Sequence, residues 1–170
     1  IIAVTGTKKI PVFDPDTLKE MNRKASSAIM DSGVESFRQH GTGEGTPGTI
    51  LCNDGGTKNW GGVGEEVYTP EEADMVGSPY ADRKYMTGRY ACSACALGCG
   101  AFYDVNDGTY PIGHTYRPEY ETAAVFTSMI AVKDPAVYIY CNDLCNRYGF
   151  DTISAGATIA WVMECYENGA

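Results

Sequence analysis

Cys92, Cys95 and Cys99 stand in the run Tyr90-Ala-Cys-Ser-Ala-Cys-Ala-Leu-Gly-Cys-Gly100. The spacing C-x2-C-x3-C gathers three thiolates on one short turning segment, and Gly98 and Gly100 let the backbone wrap closely around whatever the sulfurs hold. Three soft ligands spaced this way suit an iron–sulfur cluster or a zinc ion. Zinc ordinarily takes paired C-x2-C knuckles, and the second knuckle is missing here, so the spacing favours a cluster. A cubane needs a fourth ligand. Cys52 in a glycine-rich stretch is one candidate. Cys141 and Cys145 are others, although a helix is predicted around them and core packing is their plainer role. Cys165 reads as a core residue of the last helix.

Two further groups of residues have chemical potential. Tyr116-Arg-Pro-Glu-Tyr-Glu-Thr122 sets Glu119 and Glu121 on either side of Tyr120. Acidic residues suit a helix start through the dipole, but a carboxylate near a redox centre can also act as a general base when burial raises its pKa. His114 lies just upstream and reads more simply as a surface or hydrogen-bonding residue. Asn146-Arg-Tyr-Gly-Phe-Asp151 joins two predicted helices, as a glycine C-cap followed by an aspartate N-cap or as a loop that binds a polar heterocycle.

The elements that must position these groups are mostly helical, with little strand. Asp14 and Pro15 open a helix with Leu18, Met21, Ala25 and Ala28 on one face, stopped by Gly33. Nine glycines between Gly41 and Gly64 predict a long loop, of the kind that is usually functional or mobile. Thr69-Pro-Glu-Glu72 has a capping-box pattern for a short helix ending near Val76. Ala101–Val105 alternates as a strand does, and Asn106-Asp-Gly108 supplies a turn. Pro118 opens a helix through Ile130. Asp134-Pro135 opens another, with Val137, Cys141, Leu144 and Tyr148 on one face and Gly149 as its stop. A last helix runs from about Thr152 to Glu167.

The bulk properties narrow the class. The chain has 170 residues, enough for one domain with a real core, and 44% are hydrophobic. No apolar run approaches the roughly 18 residues of a membrane span. A net charge of -9 argues against a nucleic-acid partner. Seven cysteines, an odd number with three close together, point to metal-binding thiols in a reducing, cytoplasmic setting. The N-terminal Ile1-Ile-Ala-Val-Thr-Gly-Thr-Lys8 lacks the pattern of a signal peptide and reads as the end of a strand entered in mid-fold. Both ends of the chain look cut from something longer.

Together these segments resemble the tungsten-containing aldehyde ferredoxin oxidoreductase family, over nearly the whole chain but only the central part of that family's longer polypeptide. The match is carried by Val4-Thr-Gly-Thr-Lys8, Asn59-Trp60, the three cysteines, Pro118-Glu-Tyr-Glu-Thr122 and the run from Cys141 to Ser154. Gly156-Ala-Thr-Ile-Ala160 and Met163-Glu-Cys-Tyr166 complete it. The resemblance implies a mainly α, multihelical domain of the aldehyde ferredoxin oxidoreductase type with a short strand at its N-terminus. Residues 1–8 would end a preceding β-rich cofactor-binding domain. Residues 9–170 would form the helical domain that holds an iron–sulfur cluster and contacts the pterin, incomplete at its C-terminus.

The resemblance further implies a tungsten (or molybdenum) bis-pyranopterin and a 4Fe-4S cluster. An aldehyde would be oxidised to a carboxylic acid, with electrons leaving to ferredoxin or an electron-transfer subunit; a homo-oligomer remains open. By position, Cys92, Cys95 and Cys99 would be cluster ligands, the fourth being a cysteine of the family's C-terminal region. Glu121, preceded by Tyr120, falls on the family's active-site Tyr-Glu pair. The pterin-contacting motif Asp-x-x-Gly-Leu-Asp becomes Asn146-Arg-Tyr-Gly149-Phe150-Asp151, in which Gly149 and Asp151 match while Asn146 and Phe150 depart. Asparagine still accepts a hydrogen bond and also donates one. The family's second pterin motif and catalytic histidine belong to its C-terminal domain, so His114 does not take that role. Rival readings are a stand-alone iron–sulfur electron carrier or interaction module, the molybdopterin oxidoreductase class, and a family member that acts on a non-aldehyde substrate such as an aromatic thioester.

Overall fold

The computed structural model describes residues 2–106 and 108–170. The turn expected at Asn106-Asp-Gly108 depends on Asp107, which lies outside the described residues, as does Ile1. The chain divides into two compact units, Ile1–Val34 and Glu35–Ala170.

In the first unit the local helix signals suffice. Helix α1 spans Pro15–Met30, with the Asp14 carboxylate accepting from the Thr17 N–H at 3.0 Å and Pro15 in the first turn. Met30 ends the helix three residues before Gly33, whose φ is +79°. No residue of α1 is buried, and the expected apolar face is exposed, Met21 at 61%. Residues 2–8 form no strand, which corrects the sequence expectation. Among the described residues three strands are present, which lie in the centre of the chain and pair with one another, and a strand without a neighbouring ladder leaves its backbone groups unpaired.

The second unit is mainly helical and contains a small antiparallel sheet. Helix α2 (Glu35–His40) and a 3-10 turn (Thr42–Gly45) lead to α3 (Thr46–Leu51), and α4 (Gly64–Val67) follows after a loop. The glycine-rich stretch expected to be one long loop is therefore partly helical. Its glycines serve close packing: a Cβ on Gly64 would overlap the Ile50 carbonyl, and one on Gly43 would overlap the Ser78 hydroxyl. Helix α5 (Pro70–Met75) carries the expected capping box between Thr69 and Glu72, and α6 (Ser78–Tyr85) follows it.

Strands β1 (Met86–Tyr90), β2 (Gly100–Val105) and β3 (Gly113–Tyr116) form a sheet in that order, antiparallel throughout. Alternation in β2 buries Ala101, Tyr103 and Val105 against the helices and leaves Phe102 and Asp104 half-buried on the other face. Sequence reasoning found only β2, because β1 and β3 are short and lack strong alternation.

Helix α7 (Tyr120–Phe126) starts later than Pro118 and stops at Thr127, before a 3-10 turn at Ser128–Ile130. The Thr127 hydroxyl donates to the Ala123 carbonyl (2.7 Å), and that of Ser128 donates to Ala124 (3.1 Å) and Gly55 (2.5 Å). Such bonds compete with the helical ladder and end it. Helix α8 (Pro135–Tyr148) is capped by Asp134 and stopped by Gly149 at φ +75°, as the sequence implied. Its buried residues include Tyr138, Ile139, Asn142 and Cys145, and the expected Val137–Tyr148 face is only partly covered. Helix α9 (Thr152–Glu167) has Asp151 as its N-cap. The core of this unit includes Ile50, Tyr68, Val76, Tyr103, Phe126, Tyr138 and Ile139. Among the described residues no helix is long and apolar enough to cross a membrane.

Candidate functional site

The three cysteines occupy the hairpin connection between β1 and β2. The hairpin closes at the pair Tyr90↔Gly100. Gly100 is needed there for space, because a Cβ would lie 2.5 Å from the Tyr90 ring. Gly98 (φ +64°) and Ala94 (φ +58°) supply the left-handed turns, and the Cys95 N–H donates to the Cys92 carbonyl at 3.0 Å. All three thiols are free; Cys92 and Cys95 are exposed and Cys99 is half-covered. The backbone N–H groups of Gly98 and then Leu97 face the Cys95 sulfur and hold its thiol below the ordinary cysteine range. Among the described residues no three His, Cys, Asp or Glu side chains are gathered as a ready-made metal site. The donor set nevertheless fits a thiolate-held group: free sulfurs on one tight loop, with backbone N–H groups aimed at one of them.

The other cysteines are placed differently. Cys52 is exposed at the end of α3, and Cys145 is buried in α8. Burial, followed by the neighbouring Cys145, pushes the Cys141 thiol up. Burial followed by Asp151 does the same at Cys145. Raised thiols in a helix suit packing better than ligation.

The first turn of α7 lies between two clefts and separates the two carboxylates that flank Tyr120. Tyr120 and Glu121 line a cleft of about 310 Å³ together with Trp60, Met129, Ile153 and Ala157. Glu119 lines a polar groove of about 400 Å³ with Tyr90, Arg117, Asn142 and Asn146. Its carboxylate accepts from the Thr42 hydroxyl, whose oxygen in turn accepts the Tyr120 N–H at 2.8 Å. The groove thus brings Asn146 of the inter-helix motif beside Tyr90 at the base of the cysteine loop. Thr122 and Thr152 close it through a 2.7 Å hydroxyl contact.

The whole inter-helix motif, Asn146 to Asp151, is exposed. Phe150 is 67% exposed, and its N–H donates to Cys145 at 2.9 Å. Asp151 is exposed and accepts the Ser154 N–H at 2.7 Å. The Ser154 hydroxyl and then its N–H hold that carboxyl below the usual range. His114 is paired with Asp104 at 2.8 Å on the exposed side of the sheet, apart from both clefts.

Sequence reasoning gave no site role to two features. One is Trp60, named there only within the Asn59-Trp60 match, which lines the cleft of Glu121 from a segment where Lys58, Asn59 and Trp60 all have positive φ. The other is a buried polar network around Asp82. Its carboxylate accepts from Arg117 (2.9 Å) and Tyr103 (2.7 Å) and stands 2.7 Å from His40 Nδ1. Residues so far apart in sequence offer no local signal of their meeting.

Comparison with known proteins places the chain in a family. The family model described as "Aldehyde ferredoxin oxidoreductase, domains 2 & 3" matches residues 20–170. The tungsten-containing aldehyde ferredoxin oxidoreductase of Thermococcus kodakarensis is 29% identical over 99% of this chain and 27% of its own length. That of Pyrococcus abyssi is 32% identical over 99% and 26%. The WOR-like subunit of an aliphatic sulfonate oxidoreductase from Pyrococcus furiosus is 24% identical over 99% and 26%. The chain spans about a quarter of the length of these relatives. With a family model matching most of its residues, the chain belongs to the aldehyde ferredoxin oxidoreductase family, as a stretch of the region that model calls domains 2 and 3.

Proposed function

We propose that this chain forms the part of an oxidoreductase that binds a 4Fe-4S cluster and one side of a tungsten (or molybdenum) bis-pyranopterin, at which an aldehyde is oxidised to a carboxylic acid. The division of labour is an N-terminal piece, residues 1–8, that ends a cofactor-binding domain, and a helical domain from residue 9 onward. The observation that carries the reading is the separation of the two carboxylates at the start of α7, Glu119 at its N-cap and Glu121 in its first turn. Glu119 is engaged by the Thr42 hydroxyl, and Glu121 lines a cleft with Tyr120 and an apolar wall.

When bound, the metal centre would accept the two electrons released as aldehyde and water become acid and two protons. The residues of this chain would do the rest. Glu121 takes a proton from water or substrate in the cleft, and Tyr120 orients the reacting oxygen beside it. Trp60 and Met129 supply part of the wall against which the substrate would lie. Cys92, Cys95 and Cys99 ligate the cluster that passes electrons to ferredoxin or a partner subunit. Asn146, Gly149, Phe150 and Asp151 contact the pterin, Asn146 from inside the polar groove.

Iron and tungsten analysis of the full-length protein tests this reading, together with aldehyde-dependent reduction of ferredoxin. A protein without iron, or one whose iron content is unchanged by Cys95→Ser, would refute it. A second reading keeps the site and changes the substrate to a sulfonate or an aromatic thioester. The match to the sulfonate oxidoreductase subunit supports the sulfonate alone, and a substrate panel on the same protein separates these from an aldehyde.

A further inference from the structure

We propose that Arg117 is the positioning residue of the cysteine loop, clamping the Cys99 carbonyl from within the core. The role in electron transfer rests on reading the loop as a cluster site; the clamp itself does not.

The Arg117 side chain is 4% exposed and that of its partner Asp82 3%. One guanidinium nitrogen, Nη1, stands 3.0 and 2.9 Å from the two Asp82 oxygens and donates at 2.9 Å to the Gln39 carbonyl. The other, Nη2, is left to donate to the Cys99 carbonyl. Gly41, at φ +66°, gives the guanidinium its slot, since a Cβ there would lie 2.9 Å from Nη2. Tyr103 and His40 engage Asp82 on its remaining sides. A guanidinium is planar, rigid and permanently charged, so a fork held at this many points has one orientation.

The consequence falls on the third cysteine. Cys92 and Cys95 sit on the exposed part of the loop, whereas Cys99 is tied to α6 and the end of α2 through a buried ion pair. Arg117 therefore fixes the backbone from which the Cys99 sulfur projects, and it does so as one half of a buried ion pair with Asp82. With a cluster bound, loss of the arginine would leave the Asp82 carboxylate uncompensated near it and so disfavour the more negative, reduced state.

The test uses Arg117→Lys and Arg117→Gln in the full-length protein, each checked for its fold by circular dichroism. In metal-stripped samples, cysteine alkylation mapped by mass spectrometry reads the clamp without the cluster. We expect Cys99 to react several-fold faster in both variants, with Cys92 unchanged in the same sample. In loaded samples we expect the cluster midpoint potential to fall in Arg117→Gln and to move less in Arg117→Lys. If Arg117→Gln loses its fold, Arg117→Lys decides alone, because lysine keeps the charge opposite Asp82 but cannot also reach the Cys99 carbonyl. An unchanged Cys99 to Cys92 alkylation ratio in a folded variant overturns the proposal. A wild-type protein without iron would instead refute the cluster reading and leave the clamp to the thiol measurement.

Discussion

Gly156 of α9 and Val125 of α7 meet with no room for a methyl group: a Cβ on Gly156 would lie 2.5 Å from the Val125 Cβ. This contact sets how closely α9 lies on α7. It thereby sets the width of the cleft that Ile153 and Ala157 on one helix share with Tyr120 and Glu121 on the other.

Gly156→Ala sets two effects against each other. Alanine gains up to about 1 kcal/mol of helix propensity, while overpacking against a β-branched side chain and the Val125 carbonyl costs about 1–3 kcal/mol. Val125 is buried and cannot swing away, so the clash wins. Urea denaturation is expected to show a net loss, larger for Gly156→Val. A Gly156→Ala variant as stable as the parent would mean that the helices can separate freely.

Asp82→Ala leaves Arg117 buried without its counter-ion and removes the acceptor of the Tyr103 hydroxyl. Breaking a buried pair from one side costs about 3–5 kcal/mol. The unfolding midpoint of Asp82→Ala is expected to fall well below that of a surface control such as Asp74→Ala. Equal midpoints would show that the pair contributes nothing.

Glu121→Gln removes the proposed base and leaves the shape of the cleft intact. Turnover is expected to fall by about 10²–10⁴-fold at unchanged iron and tungsten content. Glu119→Gln is expected to retain most activity, because that carboxylate is already engaged by Thr42. The reverse ranking in steady-state kinetics would exchange the roles of the two acids.

The N-cap of α9 is acid-sensitive. The Ser154 hydroxyl and N–H hold the Asp151 carboxyl below its usual value in the folded state, so the unfolded chain binds the proton more readily. The stabilisation is complete above the unfolded pKa of about 3.9 and is lost as pH falls through the lower folded value. The Ser154 amide resonance should report this fraying in an NMR titration. Asp151→Asn keeps an acceptor without the titration and is expected to abolish the pH dependence.

The elements legible in the sequence were those whose signals are local. Asp14-Pro15, Thr69–Glu72, Asp134-Pro135 with Gly149, and Asp151 each mark a helix boundary by the side chain or backbone angle that the boundary requires. The glycine-rich stretch misled because its glycines serve close approach to Ile50 and Ser78, and not chain freedom. The break at Thr127 escaped notice because it arises from hydroxyls turning back on the preceding turn.

From sequence alone came the chemistry available to this protein: three soft ligands on one turn, a pair of acids around a tyrosine, and a capped inter-helix motif. Residue type and short spacing determine such features, and both are properties of the unfolded chain as well. Only the tertiary structure decided that the two acids line different clefts and that Glu119 is engaged by Thr42, that Trp60 lines the cleft of Glu121, and that Cys99 is tied to Arg117 and Asp82. Those pairings join segments that are distant in sequence. They arise when burial forces each charged or polar group to find a partner in whatever the packed core brings beside it.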